Sequence, residues 1–115
     1  MPSDKPARRL GDIVENIARV RAHVAGLDEA AFVRDAKTVD AVERCIERIA
    51  EAARKLGDAY DGAYPALALP ALRQLGSILR HDYDGVQPIL LWGFVRDRLA
   101  PLEAMARKEL AKLGE

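Results

Sequence analysis

Two arginines, a serine and a histidine fall on one side of a single short segment, residues 70–84. At about 100° per residue, Arg73, Ser77, Arg80 and His81 share one sector of a helix, while Leu72, Leu75, Ile78 and Leu79 share another. The second sector is the expected core face; the first is cationic and carries a hydroxyl. Two guanidiniums one heptad apart, with an imidazole beside the second, suit a phosphodiester, because Arg holds phosphate oxygens in a fork and His titrates near neutral pH. RNA brings its own nucleophile, the 2′-hydroxyl. Its cleavage without a metal needs only a base for that proton, an acid for the leaving oxygen and a cation for the charge on phosphorus. The same stripe also fits a solvated helix face, so spacing alone does not decide between the two.

The elements that must position this segment are helical. The chain has 115 residues, half of them hydrophobic, which is enough for one domain with one buried core. Its 20 Ala and 14 Leu outnumber 8 Val, 6 Ile and a single Thr, a balance that favours helix over sheet. Leu10, Ile13, Ile17, Val20, Val24 and Leu27 repeat at alternating three and four, and predict an amphipathic helix from about Pro6 to the stop at Gly26. Asp28 is the expected N-cap of a short helix through Val33. From Lys37, the stripe Val39, Val42, Ile46, Ile49, Ala53 and Leu56 predicts a long helix with Thr38 as N-cap and Gly57 as C-cap, supported by an i,i+4 pair of Glu51 with Lys55. Residues 57–70 read as a connecting loop anchored by Tyr60 and Tyr64, and Pro70 as a first-turn residue of the next helix. A last helical region from about Ile89 to Leu113 should be kinked or divided at Pro101. Residues 1–7 are expected to be a loose leader, and the whole a compact antiparallel bundle of four to six helices.

Composition narrows the classes of function. Lys plus Arg and Asp plus Glu number 18 each, which argues against a uniformly basic nucleic-acid wrapper, so an anion site must be local. The single Cys45 cannot form an internal disulfide, and no Cys/His spacing suits zinc, so no metal or cofactor is expected and a reducing cytoplasm fits best. Cys45 reads as a small packing residue, and His23 has no cluster around it. No apolar run approaches a membrane span, and no secretory leader is expected.

The stretch LGSILRHDYDGV, residues 75–86, resembles the HepT-like toxins, minimal members of the HEPN ribonuclease superfamily. The likeness extends to GLDEAAFVRDAKT, KTVDAVERCIERIAEAARKL and VQPILLWGFVRDRLAPL, and so to nearly the whole chain from Arg8 to Leu113. It implies a dimerising helical bundle, an RNA-cleaving site at the dimer cleft, with transfer RNA among the substrates, and an MntA-type minimal nucleotidyltransferase as antitoxin. The family signature is an Arg, four to six residues, then His, any residue and Tyr. His81, Asp82 and Tyr83 match its second half; position 76, where the shortest spacing places the Arg, is Gly, and the nearest guanidiniums are Arg73 and Arg80. Expected roles are His81 as general acid or base, Arg80 and Arg73 as cations on phosphate, Ser77 as a phosphate contact and Asp82 as an orienting group. The resemblance makes Tyr83 the acceptor of an inactivating nucleotidyl group. One chain offers one motif histidine where acid–base cleavage wants two proton-transfer groups, so a homodimer with both His81 side chains in one groove is expected. The alternatives are a catalytically inactive helical subunit that binds a nucleotidyltransferase and a purely structural dimeric bundle.

Overall fold

The long helix predicted from Lys37 is the axis around which the other elements gather. In the computed structural model, which describes residues 5–81 and 86–114, it runs from Ala36 to Leu56 (α3). Its stripe of Val39, Val42, Ile46, Ile49, Ala53 and Leu56 is buried throughout, as is Cys45. Asp35, not Thr38, caps it: the Asp35 carboxylate accepts from the Thr38 backbone N–H at 3.2 Å. The hydrogen bond spans three residues in the usual capping manner, and it makes Thr38 the donor side of the cap. Gly57 ends the helix at φ 71°, a left-handed conformation in which a side chain would be strained.

Helix α1 (Pro6–Val24) packs along one flank of α3, burying Leu10, Ile13, Ile17 and Val20 completely. Asp28 caps the short α2 (Glu29–Arg34) as expected, accepting from Ala31 N–H at 2.8 Å. Phe32 of α2 is buried against Trp92 of α5 (Pro88–Asp97), with ring centroids 5.2 Å apart. Helix α4 (Leu69–His81) packs on α3, and α6 (Leu99–Leu113) on α1. The result is an all-helical bundle of six α-helices with one 3₁₀ turn, Pro65–Leu67, and no strand among the described residues.

The division of the last helical region falls at Arg98, three residues before Pro101. Proline has no N–H to return to the carbonyl four residues back, so the ladder breaks there and Pro101 sits in the first turn of a new helix. Arg98 then closes the corner: its guanidinium donates to the Leu67 carbonyl at 2.6 Å and lies 5.5 Å from the Phe94 ring centroid. Tyr64 ties the preceding loop to α6 by donating to Glu109 at 2.5 Å.

One element departs from its predicted face. Leu72 and Leu79 of α4 are buried, but Ile78 is 38% exposed and Leu75 only half-buried. The line that meets α3 is Leu72, Gly76 and Leu79, because Gly76 lies directly over Ala50: a Cβ built at 76 would stand 2.5 Å from the Ala50 Cβ. The missing side chain lets two backbones approach, and that approach rotates Leu75 and Ile78 to the flank.

Candidate functional site

His81 is the last residue of α4, and its side chain is exposed to solvent. Ser77, one turn earlier, is exposed on the same side of the helix. Arg80 reaches across to α3, where its guanidinium donates to Glu51 Oε2 at 2.9 Å. The other oxygen of Glu51 accepts from Arg54 at 2.5 and 2.8 Å. The Arg54 hydrogen bond, with the charges of Arg54, Arg80 and Lys55 behind it, holds the Glu51 carboxyl below the usual glutamate range. A single carboxylate from the central helix thus orients the cation next to His81. The expected Glu51–Lys55 pair gives way to this arrangement, with Lys55 acting on Glu51 only through space.

Arg73 is placed differently. Its guanidinium makes a two-pronged pair with Asp61, at 3.0 and 2.6 Å, and also donates to the Gly57 carbonyl at 3.1 Å. These bonds fasten α4 to the loop after α3, and they hold the Asp61 carboxyl below its usual range. Of the residues expected to share the site, the structure brings His81, Arg80 and Ser77 onto the exposed end of α4, whereas the Arg73 head group is engaged with the loop. Asp82 and Tyr83 lie outside the described residues.

Glu51 as the partner of Arg80 was not legible in the sequence, since the pair joins positions 29 residues apart. Asn16, a polar residue buried in the core, was also missed. It stands three residues after Ile13 and four before Val20, inside the apolar seam of α1, and that spacing was the available signal. Of the two remaining groups, His23 is exposed near the end of α1, and Cys45 is buried, which raises its thiol above the usual range and suits packing rather than reactivity. No group of three or more His, Cys, Asp or Glu side chains is placed to hold a metal among the described residues. No helix among them is long and apolar enough to cross a membrane.

Known proteins are similar to this sequence. The chain is 28% identical over 99 residues to the Methanocaldococcus jannaschii protein named "Putative RNase MJ0127", a match that covers 86% of this chain and 82% of the relative. A second protein of that organism, named "Putative RNase MJ1380", is 31% identical over 88 residues, covering 76% and 81% of the two chains. A Thermococcus cleftensis protein named "Probable ribonuclease HepT" is 27% identical over 99 residues, covering 86% and 90%. No solved structure matches. The family model described as "Ribonuclease HepT-like" matches residues 13–109, a span that takes in every helix of the bundle from within α1 into α6 as well as the His81 segment. The chain belongs to the HepT-like ribonuclease family.

Proposed function

We propose that the protein is a toxin-type RNA endonuclease that works without a metal, with His81 and Arg80 at its centre. The observation that carries the reading is the placement of an exposed His81 beside an Arg80 held from α3 by Glu51, in a chain of this family. One imidazole takes the proton of a 2′-hydroxyl, the freed oxygen attacks the adjacent phosphorus, and a second imidazole, His81 of another copy, protonates the departing 5′-oxygen. The products are a 2′,3′-cyclic phosphate and a 5′-hydroxyl. Arg80 neutralises the charge that builds on the phosphoryl oxygens, and Ser77 adds a hydrogen bond one turn away. Transfer RNA is the substrate class implied by the resemblance, and Asp82 would orient the imidazole.

Expression without the neighbouring antitoxin gene should arrest growth for the wild type and not for His81→Ala. The purified protein should cleave RNA in EDTA to cyclic-phosphate ends; intact RNA under those conditions would sink the reading. The proposed antitoxin is an MntA-type nucleotidyltransferase that adds nucleotidyl groups to Tyr83, where a bulky anion would repel an RNA phosphate. Incubation with that enzyme and ATP should add mass to the wild type and leave Tyr83→Phe unlabelled.

A second reading, an inactive subunit that binds the nucleotidyltransferase, is favoured by one observation. Both α4 guanidiniums are already paired, Arg73 with Asp61 and Arg80 with Glu51. Under that reading the wild type is harmless when expressed alone and still co-purifies with its partner.

A further inference from the structure

The carboxylate of Glu51 is shared by two guanidiniums from different helices, Arg54 on α3 and Arg80 on α4. Arg54 gives it the Nε proton and one Nη2 proton, and Arg80 a single Nη1 proton. A guanidinium carries five N–H donors, so three remain on Arg54 and four on Arg80 without a partner among the described residues. One negative charge stands against two positive ones, and the third charge that acts on Glu51, that of Lys55, is also positive. Lys55 lines the α1/α3 groove together with Asp12, so it is left out of the cluster. For Arg54 the acid in reach is Glu51 itself. The cluster is open to solvent: the Arg54 side chain is 55% exposed, and those of Arg80 and Glu51 are 32% exposed. A surface pair of guanidiniums with a net positive charge therefore adjoins His81, the chain neighbour of Arg80.

Tying α4 to α3 needs only Arg80, which reaches between them. Arg54 sits three residues after Glu51 on the same helix, so its bond joins α3 to itself and adds little to the fold. What it adds is a second fork of donors beside the first, with the carboxylate between them offsetting the repulsion of two like charges. A single strand of RNA presents its phosphates in series, and two neighbouring guanidiniums with spare donors suit consecutive phosphates. The arrangement alone is not diagnostic, because Glu103 joins Arg21 and Arg107 in the same way across α1 and α6. The Glu51 cluster differs in standing next to His81. We propose that Arg54 is a substrate-binding residue of the ribonuclease site: Arg80 takes the phosphate at the cleaved position, and Arg54, held beside it by Glu51, takes a neighbouring phosphate of the same strand. The assignment deepens the ribonuclease reading by naming a substrate contact, and it rests on that reading for placing the cut beside Arg80.

Binding of a short 2′-O-methyl oligo(U), which lacks the free 2′-hydroxyl and so stays uncut, reads the contact without turnover. Arg54→Gln should weaken binding about fivefold at about 0.1 M salt and lower the slope of log affinity against log salt by about 0.7, the value for one phosphate on a single strand. Arg54→Lys keeps the charge but loses the two-pronged bond to Glu51, so it should stay near the wild-type slope. A role confined to holding Glu51 predicts instead that Lys fails as Gln does. Arg107→Gln removes the matching guanidinium from Glu103 and should leave affinity and slope near those of the wild type. An unchanged slope in Arg54→Gln, an equal loss in Arg107→Gln, or an Arg54→Lys protein that behaves like Arg54→Gln would overturn the assignment, as would a wild type that does not bind the probe. A lowered slope in a protein that cleaves no RNA retains Arg54 as a phosphate contact and removes the ribonuclease reading; cleavage in EDTA with an unchanged slope does the reverse.

Discussion

Arg73 and Arg80 look equivalent in the sequence, one heptad apart on one helix face, and they do different work. Arg73 is half-buried and spends its donors on Asp61 and the Gly57 carbonyl. Truncation to Ala leaves that carboxylate and carbonyl to water, which reaches both, so the expected cost is about 1 kcal/mol, near the top of the range for exposed pairs. The pH dependence has a definite sign. The Asp61 carboxyl is held below its ordinary value of 3.8, so its contribution is complete above that value and is lost as pH falls through the lower value of the folded state. Thermal melts between pH 7 and pH 3 should show wild-type stability declining at the acid end, with a shallower decline in Arg73→Ala. An identical acid slope in the two proteins would count against the clasp. The sequence could not disclose this partner, because Asp61 lies in a loop whose path is set by Tyr64, Arg98 and the 3₁₀ turn. The Asp28 cap, by contrast, was legible because its acceptor and donor are three residues apart.

At the scale of the elements, the periodic stripes of α1 and α3 were legible almost residue by residue, since a repeat of three and four leaves one face to bury. The face of α4 was read less well. Hydrophobicity alone gave Ile78 to the core, while the helix pair is set by a residue with no side chain, Gly76 against Ala50. Position 76 is where the family signature places its arginine at the shortest spacing, and here it is a packing position. Gly76→Arg should therefore fail to add activity and should lower the melting temperature markedly. Gly76→Ala should cost about 1–3 kcal/mol through overpacking, against about 1 kcal/mol gained in helix preference, for a net loss. Ala50→Gly should recover part of that loss, which a double-mutant cycle by thermal melting reads directly.

For the whole molecule, the proposed dimer would need an apolar face left uncovered by the chain's own helices. Leu90 is 62% exposed, Ile89 44% and Ile78 38%, and Leu90 shares a shallow groove with Leu75, Gly93 and Phe94. An apolar strip along α4 and α5, next to the segment that carries His81, is where the proposed two-fold partner would seat. Leu90→Glu should leave the melting temperature of the monomer fold nearly unchanged, because that side chain is already in water. Light scattering should then show a shift from dimer to monomer at micromolar concentration, and RNA cleavage should fall with it. A wild type that is monomeric throughout would remove the second imidazole from the mechanism.

Glu51 gives the resting protein a particular temperament. Its two oxygens occupy Arg54 and Arg80 at once, so the guanidinium beside His81 is neutralised before any polyanion arrives. Under the proposed mechanism, a phosphate that engages Arg80 would share or compete for the guanidinium with this carboxylate, which takes one of its donors. If the proposed ribonuclease reading holds, a strand that also touches other parts of the surface would compete for Arg80 better than one that meets the guanidinium alone.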